Sequence, residues 1–81
     1  MGFVEYPVPD EIHFLCLLHN IGATSFDRSL SVEEISRWAA MEPENVRQNL
    51  DKLISGSYVS VSSGKYYITT SGIIKVLSMY S

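Results

Sequence analysis

Within residues 31–67 the spacing of apolar residues changes from a helical period to a period of two, and this switch constrains the fold more than any other feature. Ser31 and Glu34 form the S-x-x-E word of a capping box, and Leu30 and Ile35 are placed to staple the entry, so a helix starts at Val32. Val32, Ile35 and Ala39 face one way along it, with Ser36 among them where a small residue lets another helix come close. Pro43 disfavours helical backbone at Glu42 and suits the first turn of a new helix, so the chain must turn between Ala40 and Pro43. In the next helix Val46, Leu50, Leu53 and Ile54 form a buried stripe, while Glu44, Asn45, Arg47, Gln48, Asp51, Lys52 and Ser55 are left to solvent. Gly56 stops it as a C-cap. Residues 58–62 (YVSVS) and 66–70 (YYITT) are then β-rich runs, joined through Ser63, Gly64 and Lys65 as a tight hairpin.

The flanking segments support this unit. Residues 1–9 place Phe3, Tyr6 and Val8 around two prolines, which predicts an extended N-terminal arm rather than a helix. Asp10 offers an N-cap for a first helix over 11–21, stopped by Gly22. Phe14, Leu15, Leu18 and Ile21 mark one side of that helix, and Ile12, Cys16 and Leu17 carry apolar surface well round it. So wide an arc is either central in the domain or shared with a partner. Residues 23–29 form a polar connection anchored by Phe26, leading to a short strand at Leu30. Thr69, Thr70 or Ser71 can cap a last helix to about residue 80, on which Ile73, Ile74, Val76, Leu77 and Tyr80 share an arc opposite Lys75 and Ser78.

At 81 residues with 46% apolar content the chain is expected to be one folded domain. A lone cysteine, Cys16, makes no internal disulfide and reads as a buried thiol. His13 and His19 lack metal-ligand spacing, and neither a phosphate-cradling glycine loop nor a nucleophile–base pattern is present, so no cofactor, metal or enzymatic activity is expected. No run nears the ~18 apolar residues of a membrane span, and an intracellular protein is expected, cytoplasmic or, in a eukaryote, nuclear. The formal net charge of −3 is unevenly distributed. Residues 1–44 hold two cations against eight anions, whereas residues 45–81 hold Arg47, Lys52, Lys65 and Lys75 against Asp51 alone. The cationic half is the one that contains the exposed face of the second internal helix and the hairpin.

The words in this region resemble those of the winged helix-turn-helix superfamily. EEISRWAAM is similar to the helix that leads into the turn, PENVRQNLDKLISGSYV to the recognition helix and its exit, and KYYITTSG to the segment that closes the wing and opens the last helix. The resemblance runs from Leu30 to about Tyr80, with Ala40 where the turn commonly has glycine, Glu42 where a serine or threonine is usual, and one wing cation, Lys65. It implies a small α+β winged helix-turn-helix domain over residues 10–81: a three-helix core, a helix-turn-helix at about 32–55, a two-stranded β-hairpin wing at about 58–70 and a C-terminal helix at about 71–80.

The resemblance further implies a transcriptional regulator that binds double-stranded DNA, reading the major groove with Asn45, Arg47, Gln48 and Lys52 and touching the backbone or minor groove with Lys65. With so few cations a homodimer through the first and last helices is expected, presenting two helices to two half-sites. The alternative is a winged-helix protein-interaction module within a larger transcription, replication or membrane-remodelling assembly, which the acidic net charge favours. Trp38 then matters. It either closes the edge of the core or, where the family position is usually exposed, anchors a partner.

Overall fold

The computed structural model of the chain describes residues 9–79. Helix α1 (Asp10–Asn20), a 3-10 turn (Phe26–Arg28), strand β1 (Leu30–Ser31), helices α2 (Val32–Ala39) and α3 (Pro43–Ser55), strands β2 (Val59–Ser62) and β3 (Lys65–Ile68) and helix α4 (Thr70–Met79) follow one another. The α+β winged helix-turn-helix layout expected from the sequence is therefore the one adopted: a three-helix core, a hairpin wing and a C-terminal helix. The expected arm falls outside the described residues except for Pro9, and so does Tyr80 of the last helix.

Pro9, not Asp10, caps α1. Its backbone is extended (φ −56°, ψ 146°) and its carbonyl accepts from the N–H of Ile12 at 3.0 Å and of His13 at 3.2 Å. Asp10 is instead the first helical residue, where its carboxylate favours the positive end of the helix dipole. At the other end Ala23 N–H bonds to the Leu18 carbonyl at 3.1 Å and Gly22 N–H to that of His19 at 3.2 Å, the paired closure of a Schellman motif. Gly22 stands at φ 90°, where a side chain would be strained. Of the two explanations for the wide apolar arc of α1, burial in the domain accounts for most of it. The helix packs on α3, α4 and β3, and Ile12, Phe14, Leu15 and Leu18 are all buried, with Cys16, Leu17 and Ile21 half-buried.

Helix α2 starts as its sequence dictates. Ser31 Oγ accepts from Glu34 N–H at 3.2 Å and Glu34 Oε1 from Ser31 N–H at 2.9 Å, satisfying two otherwise orphaned donors. It ends at Ala40, left-handed at φ 54°, a conformation that costs a non-glycine residue roughly 1–2 kcal/mol. The turn is braced by Ser36, whose hydroxyl donates to the Met41 carbonyl while its own carbonyl accepts from Met41 N–H at 3.1 Å. Ser36 thus ties the turn together, a role beyond the spacer expected of a small residue.

Pro43 opens α3, and Val46, Leu50 and Leu53 lie fully buried beneath it, each contributing about 1.5–3 kcal/mol of burial. Its exit is a second Schellman motif, with Tyr58 N–H on the Leu53 carbonyl and Ser57 N–H on that of Ile54, both at 2.9 Å. The left-handed residue is Ser57 at φ 66°, so Gly56, at φ −87°, is the cap itself and not the position that needs a glycine.

The sheet order is β1-β3-β2, all antiparallel, with Leu30 opposite Tyr66 and Val61 opposite Tyr66 from the other side. Ser63 and Gly64, at φ 52° and 78°, make a two-residue loop with positive φ at both positions, the type I′ geometry that matches strand twist. Lys65 is therefore not part of the loop, as the three-residue reading had it. It opens β3 opposite Ser62. Leu30, Val59, Val61, Tyr66 and Ile68 share one face of the sheet, with Val59 and Ile68 buried in the core, while Ser31, Ser60, Ser62, Lys65 and Tyr67 share the other.

Phe26 is no anchor. It is 61% exposed and meets Tyr67 edge to face, with ring centres 6.0 Å apart. Of the three cap candidates for α4, Thr69 does the work, its hydroxyl accepting from Gly72 N–H at 3.1 Å and donating to the Ser57 carbonyl at 2.7 Å. Gly72 is buried with the Tyr58 carbonyl and Ile68 Cγ2 where a Cβ would sit, so only glycine lets α4 lie this close to the start of β2.

Candidate functional site

The fold leaves the outer side of α3 open. Glu44, Asn45, Arg47, Gln48, Asp51 and Lys52 are all exposed, as the apolar stripe on the opposite side requires. Packing then divides them. Asn45, Gln48 and Lys52 turn toward α1 and, with His13 and Leu17 across from them, line a hollow of about 420 Å³ floored by Phe14 and Met41. Arg47 lies well off this stripe, about 100° round the helix from Gln48 and further from Asn45 and Lys52, next to Asp51 one turn on, and does not line this hollow. Three of the five expected nucleic-acid residues are thus brought together, and Arg47 and Lys65 stand apart.

Asn49 belongs with the three and was missed. It is half-buried, lines the same hollow, and its Nδ2 donates to the Asn45 carbonyl at 2.9 Å. The signal was available in the polar positions 45, 48, 49 and 52, which follow the i, i+3, i+4, i+7 spacing of one helix face. The α1 wall, His13 and Leu17, had no such signal, because it depends on how α1 docks against α3.

Charge on this face is balanced. Glu44 and Asp51 offset Arg47 and Lys52, and among the described residues neither of these cations is held in an ion pair. What the stripe offers is mainly hydrogen bonding: the amides of Asn45 and Gln48 each present donor and acceptor side by side.

Lys65 stands on the outer face of the wing sheet beside Ser31. Its charge reaches Glu34, whose carboxyl is held below the usual carboxylate range chiefly by the bond from Ser31 N–H, with Lys65 and Arg37 adding to the effect against a partial desolvation. Trp38, on α2, is 68% exposed, so it does not close the core. It lies one turn beyond Glu34 on the same side of the helix.

No protein-family model matches the sequence, and no curated protein matches it. The fold does have a solved likeness. The solution structure of the DNA-binding TubR fragment from Clostridium botulinum superposes with a TM-score of 0.74, at 22% identity, over 93% of this chain and 99% of that one. At that identity the likeness speaks for the backbone arrangement of helices and wing, and the side chains must be judged on their own.

Proposed function

We propose that this is a winged-helix DNA-binding protein, a transcriptional regulator that inserts α3 into the major groove. The observation that carries the reading is the amide stripe of exposed Asn45 and Gln48 with half-buried Asn49, beside Lys52, on the second helix of a helix-turn-helix. In this reading Gln48 or Asn45 pairs with adenine, Arg47 on the flank takes guanine or a phosphate, and Lys65 meets the backbone beside the wing. The similarity of the fold to that of a DNA-binding fragment along almost the whole chain supports DNA as the partner. Because α3 carries as many anions as cations on its open side, one copy has few phosphate contacts, and two copies on adjacent half-sites supply the rest. Of the two helices expected to join them, α1 has most of its apolar surface in the core, whereas α4 keeps Ile74 and Leu77 exposed.

The test is fluorescence anisotropy on a mixed duplex pool at two salt concentrations. Binding should weaken with salt and be lost in the Arg47→Ala, Gln48→Ala double variant, which keeps its fold because both side chains are outside the core. No wild-type binding even at low salt would sink this reading. One observation favours a second reading, a protein-docking module: Trp38 presents an exposed aromatic surface beside Glu34 and Arg37, of the kind that dominates interface energetics. Loss of partner capture in Trp38→Ala, with duplex binding absent, would move the function there.

A further inference from the structure

Strand β2 is an edge strand without the usual defences. It pairs with β3 on one side, and among the described residues no other segment pairs with the other side. Its sequence, Val59–Ser62 (VSVS), contains no charge and no proline, and its register with β3 runs without a bulge. Charged edges, prolines and bulges are how folded proteins keep such an edge from pairing, and here all three are missing.

The hairpin also determines which backbone groups point outward. Across a two-residue loop the flanking pair, Ser62 and Lys65, exchanges hydrogen bonds, and hydrogen-bonded pairs then alternate along the ladder. The Thr69 N–H bond to the Tyr58 carbonyl, at 2.9 Å, lies where that alternation requires it. Val59 and Val61 therefore aim their N–H and C=O groups away from β3, at the open side. Val61 is also 45% exposed on the face whose next outward residue, Val59, is buried in the core.

From these observations we propose that β2 pairs with β2 of a second copy, antiparallel about a two-fold axis at Ser60, joining two sheets into one. A second copy is the occupant the strand itself specifies. Antiparallel self-pairing sets Val59 against the other copy's Val61 and Ser60 against Ser60, so no like charges meet and about four backbone hydrogen bonds form. It covers exposed Val61, and it brings the other copy's Ser63–Gly64 loop past Tyr58, which lines a shallow hollow with Ile74 and Lys75 of α4. Helix α4 thus enters the contact through Ile74, and α1 stays out of it. The inference stands on the sheet alone and goes beyond the DNA-binding reading, since it is tested without DNA.

Sedimentation equilibrium on the full chain, up to about 200 µM, should give a dimer whose mass falls to the monomer's in Val61→Pro. That proline removes an N–H that β3 does not use, so the hairpin persists and circular dichroism stays native. Independently of that variant's folding, Ser60→Cys in a Cys16→Ala background should oxidise to a symmetric disulfide dimer, since opposite residues of a non-hydrogen-bonded pair lie close enough to bridge. Ser62→Cys, set against Tyr58 and not against itself, should stay uncrosslinked. A monomeric wild type, a dimer that survives Val61→Pro with native dichroism, or crosslinking at position 62 but not at 60 would each overturn the proposal.

Discussion

Helices α3 and α4 are both amphipathic, yet the fold treats them differently. In α3 the apolar positions Val46, Leu50 and Leu53 are almost wholly buried and the polar side is open, because α1 and α2 pack against it from two directions and β2 follows directly. In α4 only Gly72 and Val76 are buried, while Ile74 is 62% and Leu77 54% exposed, because α1 and β3 cover one side of a wider arc. A sequence pattern states which side of a helix favours burial. Whether the same chain supplies the cover is a matter of topology.

Substitutions at matched positions test this contrast, and the largest effect belongs to α3. Leu50→Ala should lower unfolding free energy by about 2–5 kcal/mol in urea titrations, since the side chain is enclosed on all sides. On α4 the comparable loss comes from adding one carbon. Gly72→Ala should cost about 1–3 kcal/mol or more, because the new Cβ meets the Tyr58 carbonyl, and Ile74→Ala should stay within about 0.5 kcal/mol in the monomer. Equal costs for Leu50→Ala and Ile74→Ala would erase the distinction.

A smaller change of opposite sign is expected in the turn that leads into α3. Ala40→Gly removes left-handed strain, offset in part by glycine's greater chain entropy when unfolded, and should stabilise by about 0.5–1 kcal/mol in thermal melts. The mildest effect is acid-linked. The Glu34 carboxyl is depressed in the folded state, so its contribution is complete above the unfolded-state value and is lost as pH falls through the folded one. Glu34→Gln keeps the capping geometry without the charge, and its stability should decline less than the wild type's across that acidic window, read by thermal melts.

Much of this fold was legible in the sequence because its signals are local. The capping box at Ser31 and Glu34, proline at the start of α3 and the stripe Val46, Leu50, Leu53 each require only neighbours within one or two turns, and each holds in three dimensions. The misreadings were of two kinds. Asp10 as a cap and Lys65 as a loop residue were each placed one position away from what the structure has, a cap at Pro9 and a strand that opens at Lys65. Phe26 needed knowledge of non-local packing, since the 3-10 turn carries it outside the sheet, and the choice between the two explanations left open for α1 likewise rested on its place where α3, α4 and β3 meet. For the candidate site, the open side of α3 and the place of Arg47 off the stripe of Asn45, Gln48, Asn49 and Lys52 were both in its periodicity, but the opposite wall of His13 and Leu17 depends on how α1 docks.

The junction at Gly72 has a consequence for how such a chain can diverge. Where two elements meet through side chains, their angle drifts as those side chains are exchanged. Here α4 meets the backbone of Tyr58 directly at Gly72, with the Ile68 side chain alongside. The tilt of α4 against the wing is therefore an inherited constant, open to change only by losing the glycine and the docking together, while the surrounding surface is free to vary.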